Sequence, residues 1–171
     1  MEIIDIFDDY ENLIGISEKD EAHKNKKWHK AVNLYIIDSK GNILLQKRSS
    51  FKKQYPNYWS CSVGGHVLSK EEPIDAIVRE CYEELNLKID KINLIHVASY
   101  KESNDSNFEF LNTYILKIEL DINDISFNTN EISKLKWIHC NDLIKDLEKP
   151  KDNYLINKYE FSKVHEHMKN L

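Results

Sequence analysis

Glu71, Glu80, Glu83 and Glu84 crowd into one stretch, Gly65 to Leu87, whose pattern predicts a short helix. Pro73 suits the first helical position, where an N–H would lack an intrahelical partner, and Glu71 and Glu72 complement the positive end of the helix dipole. Ile74, Ile77, Val78, Cys81 and Leu85 recur at three- and four-residue steps, the apolar stripe of a helix packed on a core. At about 3.6 residues per turn, Glu80, Glu83 and Glu84 fall within an arc of about 100° on the other side. Like charges at this spacing cost a bare helix roughly 0.2–0.5 kcal/mol per pair and raise carboxylate pKa values. A divalent cation would remove that penalty, and because every candidate side-chain ligand is an oxygen, Mg2+ or Mn2+ suits better than zinc. Arg79 sits one turn before Glu83 and can hold it by an ion pair. A charged helix face is ordinarily only solvated, so the surrounding residues must decide.

Gly64-Gly65 lets the backbone turn tightly from a strand candidate, Tyr58 to Val63, into the loop before this helix. Upstream, Ala31 to Ile37 and Ile43 to Gln46 are apolar strand candidates joined by a turn that contains Gly41, and they predict a hairpin. Lys47 and Arg48 follow at its end, with Lys52 and Lys53 in the next loop. Downstream, Ile92 to Tyr100 and Phe108 to Leu120 read as long strands across the polar loop 101–107, and Glu131 to His139 reads as the last strand. Helical segments follow near Asp142 to Leu147 and Tyr154 to Met168. At the N-terminus, Glu2 to Phe7 and Leu13 to Ile16 flank a turn and predict a β-hairpin, whose edges leave pairing into a homodimer open. Residues 17–27 read as a loop or short helix, and His23 and His29 as surface or packing residues. The expected division is therefore an N-terminal ribbon and lead-in, 1–28, before one main domain, 29–171.

Composition narrows the class. Hydrophobic residues make up 41% and charged residues 31% of 171, which suits a globular chain that buries a real core. The formal net charge of −5 argues against a generic nucleic-acid-binding surface, although a local basic patch can still hold phosphates. Cys61, Cys81 and Cys140 are widely spaced, without a CxxC pair, and with no leader read at the N-terminus they lead us to expect a reduced, cytoplasmic protein. The apolar runs fall short of a membrane span.

The full string around the glutamates is more specific than any one of them. Gly65, Glu71, Arg79, Glu80, Cys81, Glu83, Glu84 and Leu87 stand at the positions of the Nudix hydrolase signature, and Asn86 replaces its last glycine. Asn is the next most tolerated residue in the left-handed conformation that the glycine adopts. The chain thus resembles the Nudix family, with its signature at 65–87. The resemblance implies an α/β sandwich in which a mixed central sheet lies between helices, here preceded by the N-terminal hairpin. It also implies hydrolysis of a small-molecule diphosphate, usually a nucleoside diphosphate linked to another moiety, by water attack on phosphorus with Mg2+ or Mn2+. By carry-over, Glu80 and Glu84 are the principal metal ligands, Glu83 is a ligand or water activator, Glu71 is an additional ligand, and the Gly64 carbonyl can join the shell. Gly65, Arg79 and Asn86 are structural. Arg48, with Lys47 beside it, suits the phosphate oxygens. Glu109, or Glu102, could reach back as the general base.

A narrower likeness bears on the reaction. Trp59 to His66, the upstream His23 and His29, and Glu109 in its aromatic context are similar to type I isopentenyl diphosphate isomerases and their hydrolase-like relatives. In those isomerases a catalytic cysteine precedes the glycine-histidine pair, and an extra metal site uses three histidines and two glutamates. Here Gly64 stands at the cysteine position, Cys61 lies three residues too early, and Asn107 occupies one glutamate position. Glycine has no acid to offer an alkene, so hydrolysis is favoured over isomerisation. A second, histidine-containing metal site with His66 stays open, and His66 is also a candidate substrate contact. A Nudix-fold binding module without turnover is a third alternative, opposed by the intact acidic set.

Overall fold

The computed structural model describes residues 2–105 and 107–171; Ser106, in the expected polar loop, and Met1 lie outside the described residues. A two-stranded ribbon, β1 (Ile3–Phe7) and β2 (Leu13–Glu18), leads through α1 (Lys19–Lys24) into the main sheet. That sheet contains β3 (His29–Ile37), β4 (Asn42–Arg48), β5 (Trp59–Ser60), β6 (Val63–His66), β7 (Leu94–Ser103), β8 (Phe108–Lys117), β9 (Ile132–His139) and β10 (Tyr154–Leu155). The helices are α2 (Pro73–Leu85), α3 (Cys140–Glu148) and α4 (Lys158–Met168).

The sheet is mixed. Its order is β10-β5-β4-β3-β8-β7, with β6 on β3 and β9 on β4. β3 runs parallel to β8 along its whole length, from His29 opposite Glu109 to Ile37 opposite Lys117. Its other edge is divided: Ile37 meets Ile43 of β4 at the turn, whereas residues 31–34 pair with β6. The expected hairpin of β3 and β4 therefore opens after its turn, and β4 pairs instead with β9. The expected strand from Tyr58 to Val63 likewise breaks into β5 and β6, because Ser62 turns its hydroxyl to the Leu44 carbonyl at 2.6 Å and accepts from Ile36 N–H at 2.7 Å.

Alternation along β3 explains the layers. Val32, Leu34 and Ile36 pack with Ala76, Ile77, Cys81 and Leu85 of α2 on one face. Tyr35 and Ile37 pack with Leu143 and Leu147 of α3 and Phe161 and Val164 of α4 on the other. Both faces of the central strand are covered, which is why it reads as a continuous apolar run. Each buried Leu or Ile contributes roughly 1.5–3 kcal/mol of transfer free energy. The ribbon packs through a smaller cluster, Ile4, Ile6 and Ala22 with Leu68, so the lead-in rests against the loop that precedes α2.

Candidate active site

The helix α2 opens with Pro73 and closes with Asn86 at φ 50°, ψ 29°, in the left-handed region, where Asn86 N–H donates to the Tyr82 carbonyl at 2.9 Å. Arg79 is the hub of the acidic set. Its Nε and Nη2 donate to the two oxygens of Glu71 at 3.0 and 2.9 Å, and its Nη1 donates to Glu80 at 2.7 Å and Glu83 at 3.2 Å. Nη2 also reaches the His66 carbonyl at 2.9 Å, tying the helix to the end of β6. Burial would lower the Arg79 guanidinium, but the hydrogen bonds to Glu71 and Glu80 overcome it and hold its pKa above the ordinary value. Glu71 also accepts from Leu68 N–H at 2.9 Å, so both of its oxygens are occupied within the chain. Gly65 allows the close approach: a Cβ there would lie 2.1 Å from the Glu80 carboxyl carbon.

The glutamates do not share one solvent-facing arc, as the helix geometry alone suggests. Glu84 is only 7% exposed, and its Oε2 accepts from Gln46 Nε2 at 2.9 Å. Glu80 is also largely buried, whereas Glu83 projects to solvent. Burial, with some repulsion from Glu80, pushes the Glu84 carboxyl up to about 8; burial pushes Glu80 up to about 7 against the pull of Arg79. Two inward carboxylates thus lack full compensation for their desolvation, and they fit a divalent cation of the oxygen-preferring kind.

A second set of donors gathers beside them. One ligand atom each from His23, His29, His66 and Glu109 all lie within 4.8 Å of one another. α1 supplies His23, β3 His29, β6 His66 and β8 Glu109; the parallel register sets His29 opposite Glu109. Since a carbonyl only accepts, His29 Nδ1 donates to the Lys27 carbonyl at 2.8 Å, which leaves Nε2 turned toward Glu109, 3.7 Å from its Oε1. That Nε2 is buried and has no hydrogen-bond partner, while the His23 and His66 Nε2 atoms meet at 2.9 Å. Burial, then the neighbouring His29 and His23, hold His66 well below the ordinary histidine range, which keeps it neutral. An orphaned imidazole nitrogen, a neutral histidine and a carboxylate fit a divalent metal, and this nitrogen-rich set differs from the all-oxygen ligands expected from the helix. His23 and His29, read singly as surface or packing residues, thus stand together with His66 and Glu109 in one donor set.

A cavity of about 280 Å3 runs along this edge of the sheet, lined among others by Asn33, Gln46, Arg48, Gly64, His66 and Glu109. Arg48 faces it and donates through Nε and Nη2 to the Gln54 carbonyl at 3.3 and 3.1 Å. Lys47, also expected near the phosphates, is not among the residues that line it; one residue along β4, its Nζ lies 5.7 Å from the Trp59 ring. Glu102 and Glu109 both line the cavity. Sequence reasoning missed Gln46, Asn33, Tyr100 and Glu160. Gln46 had a signal, a polar residue closing the apolar run of β4 two places before Arg48 and so on the same face. Glu160 is 2% exposed and accepts from Asn33 Nδ2 at 2.7 Å, Thr113 Oγ1 at 2.6 Å and Tyr35 Oη at 2.9 Å, contacts that sequence order conceals.

Comparison with known proteins fits this geometry. The NUDIX domain model matches residues 27–159. A Nudix hydrolase of Clostridium acetobutylicum is 28% identical, covering 95% of this chain and 86% of that protein. Isopentenyl-diphosphate Delta-isomerase 1 of Photorhabdus laumondii is 30% identical, covering 94% of this chain and 88% of its own. The crystal structure of DR0079 from Deinococcus radiodurans shares the fold, with a TM-score of 0.78 at 24% identity over 96% of this chain and 98% of that one. A domain model that spans most of the chain, and a sandwich that sets an acidic helix against a glycine turn, agree that the chain belongs to the Nudix hydrolase family.

Proposed function

We propose that the chain hydrolyses a diphosphate bond in a nucleoside diphosphate linked to another moiety, by water attack on phosphorus. The observation that carries this reading is the buried pair Glu80 and Glu84, both raised by desolvation, with Glu84 bonded to Gln46 and Glu80 packed against Gly65, two residues that line the same cavity as Arg48. Glu80 and Glu84, with the Gly64 carbonyl, would hold Mg2+ or Mn2+. Such a cation neutralises phosphate charge and stabilises the leaving oxygen when bound. Glu71, with both oxygens occupied, holds Arg79, and Arg79 in turn orients Glu80 and Glu83. Arg48 binds phosphate oxygens through its planar fork. Glu83 or Glu109 accepts the proton of the attacking water. The cavity wall suits a polar substrate, with Asn33, Gln46, Arg48, Glu102 and Glu109 among its lining residues.

The alternative reaction, isomerisation of isopentenyl diphosphate, is favoured by the histidine-glutamate set and by the isomerase relative. It needs an acid where Gly64 stands. A Cβ at that position would lie 2.9 Å from Asn33 Oδ1, and Glu160 holds the Asn33 amide in place.

A phosphate-release screen over a panel of diphosphates with Mg2+ and with Mn2+ tests the reading, with isopentenyl diphosphate followed separately for isomerisation. Glu83→Gln and Glu84→Gln should each lower kcat/KM by at least about 100-fold with the fold retained. Wild-type turnover in both variants would remove these residues from the site, and isomerisation without hydrolysis of any diphosphate would reverse the choice of reaction.

A further inference from the structure

A second cleft opens beside the first, and its charge is unusual for an acidic chain. It is lined by Lys19, Lys24, Lys26, Arg48, Lys52 and Lys53, together with His23 and His66. Against these six cations the lining offers three carboxylates, Asp20, Asp105 and Glu131. Lys53 pairs with Asp20 at 3.1 Å, Lys52 pairs with Glu131, and Lys19 pairs with Glu2 at 2.7 Å. Among the described residues Lys24, Lys26 and Arg48 have no carboxylate partner; Arg48 reaches a carbonyl, and Lys26 lies 6.0 Å from the Phe108 ring. The chain as a whole carries a formal charge of −5, so three unmatched cations gathered in one cleft make a local field of opposite sign.

The two cavities share part of their lining. His23, Arg48, Gln54 and His66 border both, so a chain of phosphates bound at Arg48 in the first can extend past His66 into the basic cleft. A diphosphate alone would engage Arg48 and leave Lys24 and Lys26 unused. We propose that the cleft receives further phosphoryl groups, so that the substrate carries at least one phosphate beyond the diphosphate that is cleaved. This names the substrate class of the site and rests on the hydrolase reading above. The extra group has two chemical sources, a longer phosphoanhydride chain or a phosphate ester on the attached moiety, and both present the same dianionic oxygens to the lysines.

Binding tests the inference apart from turnover. Titration calorimetry of the full chain with Mg2+ would compare inorganic diphosphate, inorganic tripolyphosphate and paired nucleoside diphosphate compounds with and without a ribose phosphate. Tripolyphosphate or the phosphorylated nucleotide should bind at least about 10-fold more tightly than its shorter counterpart, with the gain shrinking as ionic strength rises. The double variant Lys24→Gln/Lys26→Gln should lose most of that gain and leave diphosphate affinity within about 2-fold; both lysines are exposed, so their replacement spares the core. A matched change of charge elsewhere, Lys88→Gln/Lys91→Gln, lies outside both cavities and should preserve the gain. Equal affinity for short and long phosphates overturns the inference, as does a loss that is the same in both double variants. Which ligand shows the gain tells the anhydride chain from the ester. Failure of every diphosphate to turn over would defeat the hydrolase reading while leaving this comparison decisive for the cleft.

Discussion

At the scale of single residues, Gly64 and Asn33 decide more than their size suggests. Gly64 pairs within β6 directly opposite Asn33, and the Asn33 side chain fills the space that a side chain at 64 would claim. Restoring a thiol there should therefore not convert the protein. Gly64→Cys is expected to show no isomerisation of isopentenyl diphosphate by product analysis, and to lose about 1–3 kcal/mol of stability to denaturant from overpacking against a held amide. Isomerase activity in the single variant would mean that Asn33 yields. A second prediction concerns the histidines. His29→Ala removes the buried nitrogen that lacks a hydrogen bond and faces Glu109 at 3.7 Å, so equilibrium dialysis should find Mn2+ or Zn2+ affinity reduced by at least about 10-fold while α2 is unaffected. Undiminished affinity would show that the metal is held elsewhere.

The elements set how these residues meet. α2 lies on the sheet with Ile77, Cys81 and Leu85 in the core, and its inward rotation carries Glu84 with them toward Gln46. The helix ends because Asn86 adopts the left-handed conformation, and it adds a bond from Nδ2 to Ser126 Oγ at 3.1 Å. Asn86→Ala should cost about 1 kcal/mol in urea denaturation, since a Cβ without a compensating polar group is strained there, whereas Asn86→Gly should be close to neutral. A neutral Ala variant would deny the cap its role. β4 contributes in the same geometric way: Gln46 and Arg48 face the cavity because they are two residues apart, and Lys47 between them faces Trp59.

Across the whole molecule, the N-terminal lead-in and the C-terminal helix complete a site whose signature lies in neither. Ile4 and Ile6 dock the ribbon near Leu68, and α1 then carries His23 to His66. At the other end, α4 returns Glu160 beneath β3 and β8, where three donors meet its carboxylate. Burial raises the Glu160 pKa, and the bonds from Thr113, Asn33 and Tyr35 only partly oppose it. Its folded value is therefore above the unfolded one, so its contribution to stability is fully present below the ordinary carboxylate range and is lost as pH rises through the raised value. In urea denaturation at a series of pH values, the stability of wild type relative to Glu160→Gln should be greatest at the acid end and decline as pH rises. A constant difference would show that Glu160 does not titrate differently in the two states.

Much of the fold and of the acidic site is legible in the sequence alone. The acidic signature is local, and helix periodicity, Pro73, Asn86 and the glycine turn all act within a few residues of it, so family, sandwich class and the core stripe of α2 follow from sequence. What sequence could not determine depends on partners far apart in the chain. Glu84 turns inward because a sheet lies beneath it; Lys47 turns away because of the strand register; and His23 and His29 become a donor set only when β3, β6 and β8 align with α1. The opened hairpin of β3 and β4 has the same cause, since β6 and β9 compete for edges that local propensity leaves undecided. The chemistry of the helix is written in the sequence, but the cavity and the charge that surround it arise from packing between distant segments.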